Sequence, residues 1–177
     1  MKGKSTRMIR YLLTLTLPLY ILDQISKWLI VWNFPPPGEP SRVIPVIEKF
    51  FYIERVHNTG IAFGRFNGKA YANPVFALVA FTAMVALLYL WKKKDAFPTP
   101  TGKVAASLIL SGILGNVTDR IVHGYVVDFL RFELGFMTWP TFNVADACIS
   151  IAACLMVVSA FQTPGSSNKE GTPAEAK

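Results

Sequence analysis

Four apolar stretches dominate this 177-residue chain, over residues 11–32, 75–91, 104–122 and 144–161. Each approaches the ~20 residues that a helix needs to cross about 30 Å of hydrocarbon. A helix satisfies its own backbone polar groups, so it is the default spanning structure. The expectation is an all-α integral membrane protein, a four-helix transmembrane bundle. At 52% hydrophobic residues and a mean hydropathy of +0.37, the chain is too apolar for an ordinary soluble domain of its size. The spans leave little chain for a second domain. We therefore expect one domain over residues 1–161, with outer loops 33–70 and 120–143 and a disordered cytoplasmic tail over 162–177. That tail is Pro, Gly, Ser, Glu and Lys in character.

The first stretch has the basic flank and apolar centre of a secretory signal, with Lys2, Lys4, Arg7 and Arg10 ahead of it. It then runs on as Asp23-Gln24-Ile25-Ser26-Lys27-Trp28 with no small-x-small cleavage site, so we read a retained first span. The net charge of +7 is concentrated at the N-terminus and at Lys92, Lys93, Lys94 and Lys103. The positive-inside rule then puts both termini and the 92–103 loop in the cytoplasm, with loops 33–70 and 120–143 outside. Topology and contact with anionic membrane lipids account for the basic balance without nucleic acid. Cys148 and Cys154 fall on different faces of the fourth helix, which gives neither a disulfide nor a metal-ligand pattern.

The first outer loop opens with Pro35-Pro36-Pro37-Gly38, a helix breaker. Residues 43–56 are β-branched and aromatic, and Phe50 to Val56 reads as strand. We expect a small extracytoplasmic β-sheet cradle on the membrane surface, with Phe50, Phe51, Tyr52 and Phe63 meeting headgroups. Gly60 and Gly64 permit tight backbone geometry just beyond it. Trp139, Tyr125, Phe129, Phe132 and Phe136 suit an interfacial position. Ser107, Ser111, Gly115 and Asp119 form one i+4 stripe on helix three, with Asn116 beside it. Small residues at that spacing let membrane helices approach closely, so the stripe should face the bundle. Asp146, Ser150 and Cys154 form the corresponding stripe expected on helix four.

Ionisable groups at a membrane boundary are costly and mark candidate sites. Asp23 and Lys27 at i, i+4 read as a neutralising ion pair, or as a direct substrate contact. Asp119 has Arg120 beside it, which favours a structural ion pair over an acid that must gain and lose protons. Asp128, between Val127 and Phe129, and Asp146, between alanines, lack an adjacent base. Two such carboxyls brought together would share one proton. Asp128 with Asp146 is the better candidate pair, and Asp119 with Asp146 the runner-up. Taken singly, Asp128 also fits a surface strand end, and Asp146 a charge stabilised by a helix N-terminus. Elbow, zinc-helix and phosphate-loop motifs are missing, and His57 and His123 lie in separate loops.

Five motifs, in order, give the chain a family resemblance. They are Asp23-Gln24-x-Ser26-Lys27, Asn58-Thr59-Gly60-x-Ala62-Phe63, Gly115-Asn116-x-x-Asp119-Arg120, Val126-Val127-Asp128-Phe129 and Phe142-Asn143-x-Ala145-Asp146. With four spans, they resemble bacterial lipoprotein signal peptidase, also called signal peptidase II. The resemblance implies an aspartic endopeptidase of the inner membrane, and we expect it to be a monomer. It would cleave diacylglyceryl-modified prolipoproteins before the lipidated cysteine, without metal or organic cofactor. It assigns catalysis to Asp128 and Asp146, and substrate contact or support to Asn58, Asn116, Arg120 and Asn143. Asp23, Lys27, Gly60 and Asp119 match further motif positions. The rival readings are a small proton- or ion-coupled transporter and a non-catalytic membrane binder of lipidated peptides. The first should carry polar groups at mid-membrane, and the second needs no carboxylate pair.

Overall fold

The computed structural model describes residues 8–38, 40, 42–60, 72–93 and 96–162, so Phe63, Gly64 and the 163–177 tail lie outside the described residues. From Met8, the first described residue, the helical path passes through a π-helical turn, Leu12–Thr16, into α1, Leu17–Asn33. Pro18 sits at the start of α1 and has no N–H to return to the preceding turn, which is where the helix widens. Phe34, ahead of Pro35, is extended at φ −121° and ψ 134°, as a pre-proline residue requires, and α1 stops there.

The other helices are α2, Ala72–Lys92, α3, Pro100–Val122, and α4, Val144–Gln162. Thr99 caps α3, accepting the Gly102 N–H at 2.9 Å, and Pro100 takes the first helical position. Among the described residues, three helices are long and apolar enough to cross a membrane: Asn73–Lys92, Pro100–Val122 and Val144–Gln162. The first stretch, expected to be a fourth, is not among them. The π turn divides it, and α1 alone is 17 residues long and carries Asp23 and Lys27.

Buried α3 is the centre of the bundle, packed by α1, α2 and α4. Its stripe faces inward as expected: Ser107, Ser111, Gly115 and Asp119 are all buried. A Cβ on Gly112 would meet the Ala145 carbonyl oxygen at 2.5 Å, so glycine sets how closely α3 and α4 approach. The stripe expected on α4 is different. Ser150 and Cys154 are exposed, and the buried row is Ala145, Cys148, Ala152 and Ser159. An i+4 row winds about 40° around the helix per step, and the packed face instead alternates steps of three and four. Asp146 lies at the rim of that face, half-buried.

The sheet draws on two loops. β1 (Ile44–Ile47) and β2 (Phe51–Asn58) follow α1, and β3 (Val126–Glu133) and β4 (Thr138–Phe142) join α3 to α4. They run antiparallel in the order β1-β2-β3-β4. The second hairpin was not foreseen, because its alternation is blurred. The first four residues of β3, an inner strand, are all buried, so side chains on both of its faces are covered. Ile30 of α1 and Phe34 just past its end pack with Val127 and Phe129 to seat the sheet on the helix end, so Phe129 is core and not interfacial. Arg55 reinforces the joint, donating to the Val31 and Phe34 carbonyls at 3.1 and 2.8 Å. Phe136 and Trp139 remain exposed at the far hairpin.

Candidate active site

A left-handed glycine brings the polar residues together. Gly124, at φ +79°, reverses the chain from α3 into β3. The reversal returns the Val127 N–H to Asp119 Oδ2 at 3.0 Å. The next residue, Asp128, then sits over the α3–α4 seam and is 2% exposed. Its register partner on β2 is Val56, and Asn58 lies two residues further along the same strand.

Each of the two candidate carboxylates accepts two hydrogen bonds from the surrounding asparagines. Asp128 Oδ1 accepts from Asn143 Nδ2 at 2.7 Å, and Oδ2 from Asn58 Nδ2 at 3.0 Å. Asp146 Oδ1 accepts from Asn116 Nδ2 at 2.8 Å, and Oδ2 faces the Asn143 backbone N–H at 3.4 Å. Asn143 is thus common to both. Burial, and then the charge of Asp146, push the Asp128 carboxyl up to about 7, against the pull of its asparagine donors and of Lys27.

The asparagines are themselves oriented. Asn58 Oδ1 is held by the Gly60 N–H at 3.0 Å. Asn116 Oδ1 accepts from Lys27 Nζ at 3.0 Å and Asn143 Nδ2 at 3.2 Å, which leaves its amide N–H groups for Asp146. Lys27 also pairs with Asp23 at 2.9 Å and Asp119 at 3.1 Å. Asp23 Oδ1 meanwhile takes the Ala145 N–H at 2.8 Å, in the first turn of α4. The expected Asp23–Lys27 pair is therefore present as part of a three-residue cluster in which all three residues are at most 3% exposed.

The cation for Asp119 is Lys27 and not the adjacent Arg120, a correction with a simple cause. Consecutive helix residues point about 100° apart, so neighbours in sequence do not face each other. Arg120 instead donates to the Asn116 carbonyl at 3.3 Å and to the Gly60 carbonyl at 3.0 Å. Asp128 and Asp146, rather than the runner-up Asp119 and Asp146, meet through one asparagine. The two histidines, separate in sequence, flank Tyr125, with ring centroids 3.7 Å away for His57 and 5.6 Å for His123. Burial, then Arg55 and His123, press His57 down to about 4, so its ring is neutral.

Two further residues join this network. Gln24 Nε2 reaches Asp23 at 3.1 Å, and Asp119 and the Gly115 carbonyl at 3.2 Å. Its signal was an amide beside Asp23 inside an apolar stretch. Asn73, at the start of α2, donates to the Arg120 carbonyl at 3.2 Å, and no sequence pattern pointed to it.

Residues 15–162 match the family described as Signal peptidase (SPase) II. The chain belongs to that signal peptidase II family. Curated relatives agree. A lipoprotein signal peptidase of Alteromonas mediterranea is 37% identical, covering 89% of this chain and 84% of its own. One from Moorella thermoacetica is 35% identical, covering 89% and 97%. One from Neisseria meningitidis serogroup C is 38% identical, covering 81% and 85%. A solved bacterial membrane enzyme, determined by the in meso method at 2.3 Å, superposes with a TM-score of 0.75 at 29% identity, covering 97% of this chain and 95% of its own. A second, at 1.9 Å, gives 0.70 at 29% identity, over 89% and 94%. The family resemblance read from the five motifs is thus correct, and signal peptidase II is a peptidase family whose members act on lipoproteins.

Proposed function

We propose that this signal peptidase II cuts diacylglyceryl-modified prolipoproteins before the lipidated cysteine, with Asp128 and Asp146 as its catalytic dyad. One observation carries the assignment: two carboxylates, one of them buried, both accept from Asn143, Asp128 from its side-chain amide and Asp146 from its backbone N–H, and the charge of Asp146 raises the proton affinity of Asp128. Asp146 acts as the base. It lies in the first turn of α4, where the helix dipole favours an anion. Asp128, buried in the sheet, holds the shared proton.

Water attacks the scissile carbonyl while Asp146 takes a water proton and Asp128 donates its own to the carbonyl oxygen. The resulting gem-diol collapses. Asp146 passes its proton to the leaving nitrogen, and one hydroxyl returns a proton to Asp128. The carbonyl reforms as a carboxylic acid and both aspartates return to their starting states. No step in this sequence draws on a cofactor. Asn58, Asn116 and Asn143 hold the dyad, Arg120 and Gly60 flank the peptide, and Asp23, Lys27 and Asp119 support from behind.

The same reading has α1, extended by the helical turn before it, as a fourth span. The basic N-terminus and Lys92, Lys93, Lys94 and Lys103 favour both termini in the cytoplasm and the sheet end at the outer face of the inner membrane. The protein acts as a monomer, as one domain over 1–161, on substrate that enters sideways from the bilayer.

The test is cleavage of a lipid-modified prolipoprotein by purified wild type, Asp128→Asn, Asp146→Asn and Asp119→Asn. The first two variants should lose at least about a hundredfold in rate, the scale of acid–base catalysis. Full cleavage by Asp128→Asn overturns the dyad. Binding without cleavage by wild type favours a non-catalytic binder.

A further inference from the structure

A cavity of about 450 Å³ opens between α1, the end of α3 and the start of β3. That volume lies within the ~300–1,000 Å³ usual for sites that enclose small organic ligands. Neither Asp128 nor Asp146 lines it. Its inner wall is the far side of Lys27 and Asp119, the pair that backs the dyad. We infer that this cavity holds one acyl chain of a bilayer glycerophospholipid, packed against the Lys27–Asp119 pair. The inference rests on the membrane-spanning reading of α1 given above.

The wall states the chemistry of the occupant. Lys27 Nζ already donates to Asp23, Asp119 and Asn116, which uses its three hydrogens. Both oxygens of Asp119 are taken, by Gln24, Lys27 and the Val127 N–H. These groups ask nothing of a ligand, and a polar ligand would lose its water without replacement partners. The rest of the surface is mostly Ile25, Trp28, Val31 and Val127, with the methylene stem of Lys27; Gln24 also lines it, its amide nitrogen already committed to Asp23, Asp119 and the Gly115 carbonyl, and His123 stands at one end. Such a surface fits hydrocarbon.

Position identifies the source. Ile25 and Trp28 are 52% and 57% exposed, and Ile21, Leu22, Leu29 and Trp32 of the same helix are exposed with them. In a spanning α1 this apolar surface meets lipid, so the cavity opens into the bilayer and is continuous with its hydrocarbon. His123 stands exposed at the sheet end of the cavity, level with the interfacial aromatics, where the ester and headgroup of the same lipid would lie. The bound chain has a consequence for the site. It keeps water from the Lys27–Asp119 pair, whose attraction strengthens as the local dielectric falls. Lys27 orients Asn116, and Asn116 holds Asp146.

The experiment uses full-length protein in detergent with Trp32, Trp91 and Trp139 replaced by phenylalanine, so that Trp28 is the reporter. Phosphatidylglycerol with brominated acyl chains is the quencher. Quenching should saturate near one lipid per protein, and Val31→Phe or Ile25→Phe, which fill the cavity, should weaken that binding at least tenfold. Both variants should keep a cooperative melting transition. Quenching that climbs without saturation, equally in all three proteins, reports annular lipid and overturns the site. Displacement of the brominated lipid by an equimolar diacylglyceryl peptide would give the cavity to the substrate and overturn the bilayer-lipid assignment. Failure of the dyad reading appears separately, as cleavage by Asp128→Asn, and leaves this titration unchanged.

Discussion

Asn143 and Asp146 close a reciprocal cap at the start of α4: the Asp146 N–H donates to Asn143 Oδ1 at 2.9 Å, and the Asn143 N–H faces Asp146 Oδ2 at 3.4 Å. This is a capping box with Asn at the cap and Asp three residues on. The motif that starts the helix therefore also aims one candidate catalytic carboxylate. The side-chain amide left over on Asn143 reaches the other.

The two jobs of Asn143 should separate by substitution. Asn143→Ser keeps a capping oxygen and loses the amide donor to Asp128. We expect near-wild-type melting and a large loss of kcat. Asn143→Ala loses both, adding about 1 kcal/mol of destabilisation for the missing cap. Melting curves and single-turnover cleavage on the two variants check this. Equal melting loss in both would place the stability elsewhere.

Rate should fall as pH rises through about 7, where Asp128 gives up the shared proton. Stability follows the same sign. The folded carboxyl titrates near 7 against a usual 3.8, so between those values the folded state holds more protons than the unfolded chain. The contribution is full below 3.8 and is lost as pH climbs to about 7. Wild type should therefore lose melting temperature between pH 5 and 8 more steeply than Asp128→Asn. Parallel curves would remove Asp128 as the source.

Lys27→Met leaves Asp23 and Asp119 buried without their cation. Removing one member of a buried ionic cluster costs about 3–5 kcal/mol. It also frees Asn116 to turn its carbonyl toward Asp146. The double variant Lys27→Met/Asp119→Asn should recover part of the stability and little of the rate, since Asn116 still lacks its lysine. A double-mutant cycle on melting and on cleavage measures both.

Gly115→Ala would drive a Cβ into the Asp23 carboxylate and to 3.0 Å from Ala145 Cβ. We expect a destabilisation of about 1–3 kcal/mol, with activity lost through displacement of Asp23. Gly124→Ala meets nothing within 4 Å, so its cost is the strained φ alone, about 1 kcal/mol. A melting loss at Gly115 no larger than that at Gly124 would argue against the close approach.

The sequence by itself determined the apolar helices, the inward stripe from Ser107 to Asp119, the Asp23–Lys27 pair and the ordered motifs that place the chain in its family. These depend on periodicity, i, i+4 spacing and local residue chemistry, all of which act within one element. Tertiary structure decided the rest. It replaced Arg120 with Lys27 as the partner of Asp119, because the choice turns on which helix face looks at which neighbour. It moved the buried face of α4 from Ser150 and Cys154 to Cys148 and Ala152, and it built the second hairpin that buries Asp128. Above all it joined Asp128 to Asp146 through Asn143. That contact needs a strand after α3, a helix cap on α4 and a glycine reversal at Gly124 in one place, and no local pattern encodes their meeting.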